Sequence, residues 1–364
     1  MHGVKKSAIP PTAQELEQKK KQVDSFRSLI NGLLAKREQG NMNPKILPHI
    51  GIALKYNPEH YTLWNYRRDI LTDSMSQPVT EGVEAEAEGV DGEGEGGGVE
   101  DANVSAVATL TEELGVIEAA LAKNPKVYSA WHHRRWVMDH ILARSGAEDR
   151  LAIVHKELDL CKKLLTKGDS RNFHCWNHRR HVLTLLTRET QGGRERERET
   201  AAKTTTIPSI DMPLTLALIE SDFTNHSAWH QRRLAIQQIL TERESETSGE
   251  RETVDMEFEL DNLMSGVSME PDSEGLFHIW YWLVSTGLSL SGCVGAEAEG
   301  VLETQLETYM PLYEDEPEHR YPLLMAKTCL FLLGRQSVSM AKANEFDVVV
   351  SKDTQPKPEK EVSG

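Results

Sequence analysis

Tyr128-Ser129-Ala130-Trp131-His132-His133-Arg134-Arg135 is one of four copies of a Trp-x-x-Arg-Arg motif in a chain of 364 residues. The others run from Tyr61 to Arg68 around Trp64, from Phe173 to Arg180 around Trp176, and from His226 to Arg233 around Trp229. An aromatic residue or His stands three residues before each Trp. The tryptophans follow one another at intervals of 67, 45 and 53 residues. Repetition of so large a residue in register with two arginines marks a structural unit, and the uneven intervals predict a solenoid carrying insertions. Seven residues after each Trp comes Leu71, Met138, Leu183 or Ile236. Offsets of three, four and seven fall on one helical face. Each Trp is therefore expected to share a stripe with its arginine pair (Arg67 and Arg68, Arg134 and Arg135, Arg179 and Arg180, Arg232 and Arg233) and with the apolar residue.

A second apolar period precedes the motif. Leu114, Ile117 and Leu121 mark it before the second copy, and Leu151, Val154, Leu158, Cys161 and Leu165 before the third. Asn57-Pro58 and Asn124-Pro125 lie between the two periods, where Pro suits the first turn of the next helix. Each unit reads as a helix, a short turn and a Trp-bearing helix, and stacked neighbours bury the face that one hairpin cannot. The chain is thus all-α. A degraded fifth unit, Phe277 to Val284, puts Phe277 at the Trp position and aromatics where the arginines stood. Residues 301–334 form a final pair. Loss of the arginines there fits a capping end.

An N-terminal segment with a Lys- and Glu-rich helix (residues 1–44) precedes the repeat array of 45–335, and a tail of 336–364 is expected to be disordered. Residues 76–104, 189–206, 241–252 and 291–300 read as polar insertions that cannot bury enough apolar surface to order themselves. The net charge is −16, and the stretch Glu81–Asp101 supplies nine acidic residues and no basic one. No basic stripe interleaved with aromatics argues for nucleic acid. Four cysteines without metal-ligand or redox spacing read as reduced thiols of a cytoplasmic protein. No signal peptide and no apolar run of membrane-spanning length is expected.

The arginine pairs have a structural explanation: a guanidinium stacks on Trp while pairing with carboxylates or helix-end carbonyls of the next repeat. His174, His178 and His181 have a spacing that could present three imidazoles to a metal, but a variable, half-exposed surface position accounts for His178. No metal site is expected in this chain. Five residues before each Trp stand Glu59, Lys126, Arg171 and Thr224. A place that differs from copy to copy reads as free for function. Lys126 and Arg171, beside Tyr128 and Phe173 at helix N-termini, would favour a diphosphate, although the residues alone read first as two ordinary surface cations.

The Trp-x-x-Arg-Arg unit with its Asn-Pro-x-x-Tyr turn resembles the repeat of protein prenyltransferase alpha subunits over most of residues 45–290. The opening Met1 to Lys5, the block Asn124 to Arg134 and the block Arg171 to Trp176 are most similar to the Rab geranylgeranyltransferase (type II) group. This resemblance implies a right-handed α-α superhelix in an obligate heterodimer with a beta subunit. The beta subunit would hold the catalytic zinc and the isoprenoid pocket. The reaction implied is transfer of geranylgeranyl from geranylgeranyl diphosphate to C-terminal cysteines of Rab GTPases presented by an escort protein. It also implies that Lys126, Arg171 and Tyr128 are alpha-side contacts to the diphosphate, with no catalytic residue in this chain. His2 would be a terminal side chain able to reach the partner's zinc. The alternatives are the alpha subunit shared by farnesyltransferase and type I geranylgeranyltransferase, acting on CaaX substrates, and a non-enzymatic helical-repeat scaffold.

Overall fold

The computed structural model describes residues 12–76, 97–194, 207–242, 254–315 and 318–334, with the side chains of 97–102, 190–194, 207, 242 and 313 left aside. His2, the tail 336–364 and most of the acidic insertion lie outside these residues. The chain divides into two compact units, Met1–Ala201 and Ala202–Gly364.

The first unit opens with α1 (Ala13–Glu38), whose Thr12 cap and Glu15 form a reciprocal capping box. After a 3-10 turn at Pro44–Ile46 come three helix pairs: α2 (Leu47–Tyr56) with α3 (Tyr61–Ser76), α4 (Gly97–Lys123) with α5 (Tyr128–Leu142), and α6 (Ala147–Lys167) with α7 (Phe173–Arg194). Within each pair the helices pack on each other, and α3, α5 and α7 pack in succession. The second unit holds α8 (Ile207–Ser221) with α9 (His226–Glu242), then α10 (Met256–Met269) with α11 (Glu274–Trp282). A π-helical segment at Leu283–Gly287 and α12 (Leu288–Ser291) continue α11, and α13 (Ala296–Asp315) pairs with α14 (Arg320–Leu332). Among the described residues there is no strand, so the all-α helix-hairpin architecture holds.

The apolar residue seven positions after each Trp is buried in all four copies, as the stripe requires. Three expectations need correction. Pro58 and Pro125 lie in the turn, as expected, but outside the first turn of the helix that they were expected to open. The amide of His60 reaches the Asn57 carbonyl at 3.3 Å and that of Val127 reaches Asn124 at 3.4 Å, so each Pro is the second residue of a β-turn, where its fixed φ fits. The insertions are shorter than their composition suggested, because helices propagate into them: α4 starts at Gly97 and α7 ends at Arg194. Residues 291–300 are a turn entered through Gly292 (φ 84°) and closed by the start of α13.

Candidate functional site: the turns and seams between repeats

Only half of each arginine pair joins the buried stripe. Arg67, Arg134, Arg179 and Arg232 are at most 3% exposed. Arg135 and Arg180, one residue later, are exposed, while Arg233 lies 5.3 Å over the Trp282 ring and Arg68 reaches Asn65 and His132. The buried guanidinium works in two directions. One nitrogen donates to a carbonyl of the first helix of its own repeat: Arg67 to Leu47 at 2.6 Å, Arg179 to Leu158 at 3.2 Å, Arg232 to Met212 at 2.8 Å. The other edge grips a buried glutamate on the first helix of the next repeat, as Arg67 does Glu113, Arg134 does Glu157 and Arg232 does Glu259.

Glu113 and Glu157 also accept from the next repeat's own helix, through His133 Nε2 at 2.7 Å and His178 Nε2 at 2.6 Å. Burial pushes these two carboxyls up, but the bonds from Arg67 with His133, and from Arg134 with His178, outweigh it and hold each at about 2. His178 is thus buried, which corrects the expectation of a half-exposed position. It lies 5.3 Å from the Trp131 ring, as His133 lies 5.1 Å from Trp64. The neighbour's imidazole, not an arginine, covers these tryptophans. His181 bonds Asp139 at 3.0 Å and His174 faces Tyr128, so the three imidazoles serve three different partners. In the fifth unit Trp280 stands where the arginine did, and its Nε1 donates to Gln305 of α13 at 3.1 Å, where a glutamate would be.

The repeated Trp anchors the turn. Its indole N–H donates to the carbonyl six residues back in every copy: Trp64 to Pro58, Trp131 to Pro125 and Trp176 to Ser170 at 2.8 Å, Trp229 to Phe223 at 2.9 Å. Asn57, Asn124, Asp169 and Asp222 each accept the amide two residues on, that of Glu59, Lys126, Arg171 or Thr224, at 3.0–3.1 Å. The Lys126 and Arg171 turns are fastened together by Asn172, which is buried. Its side-chain amide donates to the Pro125 carbonyl at 2.8 Å, while its Oδ1 caps α7 at the His174 amide.

These bonds bring the candidate residues together. Lys126 Nζ lies 3.0 Å from Asp169 Oδ2, and Asp169 Oδ1 accepts the Arg171 amide at 3.0 Å. Tyr128 is 68% exposed with its ring 6.0 Å from His174, whose proton affinity is lowered by burial and then by Lys126. An open groove of about 390 Å³, lined by Tyr128, Trp131, Trp136, His174 and His181, continues along α5 and α7. The variable position is not simply free. Asn124 donates to the Glu59 carboxylate at 2.9 Å, and Lys126 pairs with Asp169, so variation at one turn is matched at the next.

A model of the protein prenyltransferase alpha subunit repeat matches residues 47–73, 110–141, 154–186 and 211–239, the four helix pairs that carry the Trp anchors. The chain belongs to the protein prenyltransferase alpha subunit family. It is 28% identical over 287 residues to the mouse geranylgeranyl transferase type-2 subunit alpha, covering 78% of this chain and 42% of that protein. Its likeness to the Candida albicans type-2 subunit alpha is 26% over 343 residues, 87% of this chain and 82% of that one. The chain therefore spans less than half the length of the mammalian relative and most of the length of the yeast one. A solved structure titled Candida albicans protein geranylgeranyltransferase-I complexed with GGPP overlaps 90% of each chain at 17% identity. Its TM-score of 0.47 is too low to bear on the site. Each matched repeat is a helix pair closed by the Trp-to-carbonyl bond, and arginine and glutamate join the first to the second, the second to the third, and the fourth to the pair that follows it.

Proposed function

We propose that this chain is the alpha subunit of a cytoplasmic Rab geranylgeranyltransferase, working as a heterodimer with a prenyltransferase beta subunit. The observation that carries the reading is the match to the Candida albicans protein named a type-2 subunit alpha, which runs over 87% of this chain and 82% of that one. Among the described residues, no helix is long and apolar enough to cross a membrane, and no group of three His, Cys, Asp or Glu is placed to hold a metal.

In this reading the substrates are geranylgeranyl diphosphate and a Rab GTPase presented by its escort protein. A zinc ion held by the beta subunit would lower the pKa of the acceptor cysteine, whose thiol gives its proton to solvent and attacks as the thiolate. A sulfur–C1 bond forms, the bond from C1 to the diphosphate oxygen breaks, and inorganic diphosphate leaves. The contribution of this chain is charge and position. Lys126 and Arg171 sit on adjacent turns joined by Asn172, so the backbone that carries the two cations is fixed before the leaving group arrives. Tyr128 is exposed beside them as a further donor.

The test is co-expression with a candidate beta subunit, gel filtration and transfer of labelled isoprenoid. A complex that modifies Rab cysteines only with escort protein, and ignores an isolated CaaX peptide, supports the reading. CaaX modification points to the subunit shared by farnesyltransferase and type I geranylgeranyltransferase. Absence of any beta complex leaves a scaffold.

A further inference from the structure

The turn that carries Arg171 holds more charge than its shape requires. Asp169 Oδ1 accepts the Arg171 amide, but in the first two repeats an amide oxygen does the same work: Asn57 and Asn124 accept the equivalent amides at 3.1 Å. The carboxylate charge of Asp169 is therefore surplus to the turn. Its second oxygen meets Lys126 at 3.0 Å across the seam, where the previous seam joins two groups with no cation between them, Asn124 and Glu59.

We infer that Asp169 is a positioning residue for the diphosphate: its carboxylate holds Lys126 in place when no anion is bound and competes for it when one is. The inference rests on the reading of Lys126 as a diphosphate contact. A diphosphate that recruits Lys126 takes the ammonium from Asp169 and comes to lie beside a like charge, and both effects loosen its hold. The affected species is the leaving group as well as the substrate, so Asp169 speeds the departure of inorganic diphosphate, a step that limits turnover in many enzymes. The environment keeps Asp169 an ionised carboxylate for this pairing. Burial raises the Asp169 carboxyl and the Lys126 and Arg171 contacts outweigh it, leaving it below the usual carboxylate range. The pair is only partly shielded, with Lys126 64% and Asp169 34% exposed, so the expected effect is modest.

The experiment uses the heterodimer and inorganic diphosphate as an inhibitor of prenyl transfer. Asp169→Asn keeps the turn, as the natural asparagines do, and is expected to lower the inhibition constant about three- to fivefold. KM for the prenyl diphosphate falls with it, kcat does not rise, and the melting temperature stays that of the parent. Lys126→Gln weakens inhibition, and in that background Asp169→Asn gives a smaller gain, from relief of the like charge alone. Unchanged inhibition in Asp169→Asn, with weakened inhibition in Lys126→Gln, overturns the inference and leaves the reading of Lys126 standing. An equal gain in the Lys126→Gln background also overturns it, because Asp169 would then act by charge alone. A Lys126→Gln complex indistinguishable from the parent removes both.

Discussion

The Arg134 guanidinium and the Glu157 carboxylate meet across a repeat seam, with Nη2 2.7 Å from Oε2 and both side chains buried. His178 completes the seam from the far side. Arg134→Ala leaves a buried carboxylate facing one imidazole, and a broken buried pair of this kind costs about 3–5 kcal/mol. Thermal unfolding of the purified protein should show a large loss for Arg134→Ala and for Glu157→Ala. The double variant should be well short of additive. Additive losses would mean that the two side chains contribute independently.

Acid should open the same seams. Glu113 and Glu157 are held at about 2 against an ordinary value of 4.5. A depressed folded-state value means that their contribution is fully present above 4.5 and is lost as pH falls from there toward 2. His133, lowered mainly by burial, adds a loss of the same sign that begins below about 6.5. Denaturation followed from pH 7 to pH 3 should show falling stability, and Glu157→Gln should flatten the lower part of the curve.

The Trp anchor can be divided into packing and hydrogen bonding. Trp176→Phe keeps an aromatic ring but leaves the Ser170 carbonyl without its donor, a loss of about 1 kcal/mol or somewhat more. Trp176→Ala adds the cavity and should cost about 3–5 kcal/mol. No loss for Trp176→Phe in denaturant titrations would show that the bond to the turn contributes nothing.

The last seam tests whether the repeat chemistry is interchangeable. Trp280→Arg places a charge in a fully buried position and should destabilise strongly. Adding Gln305→Glu supplies the carboxylate used in the other seams and should recover part of the loss. Unfolding midpoints of the two variants give the answer directly.

For turnover, Lys126→Ala should lower the rate of prenyl transfer about tenfold or more, the scale expected for one preorganised charge at a leaving group. Gel filtration should still return the heterodimer, because Lys126 is largely exposed and its partner Asp169 keeps its bond to the Arg171 amide. Unchanged steady-state rates would remove Lys126 from the diphosphate.

Much of the architecture could be read from periodicity. The Trp, the first arginine and the apolar residue seven positions on are buried where a helical face puts them, because local spacing fixes which side chains share a face. The seams also leave a signal in the sequence. Glu113 stands three residues after Leu110 and four before Ile117, Glu157 likewise between Val154 and Cys161, Glu259 between Met256 and Leu263, and Gln305 between Leu302 and Tyr309. A polar residue at the centre of an inward face needs a buried partner: the motif arginine for the three glutamates and Trp280 for Gln305.

By itself the sequence determined the helix pairs, their number and the family, since these follow from patterns within one segment. Only the tertiary structure decided what each motif residue does. It separated the buried arginine from the exposed one, gave His178 to a carboxylate instead of the surface, and set Lys126 against Asp169 and Asn172 against Pro125. Those pairings join residues 43 and 47 positions apart on different repeats. Which of several acids or carbonyls a side chain meets depends on how neighbouring helices pack, and no spacing within a single helix encodes that.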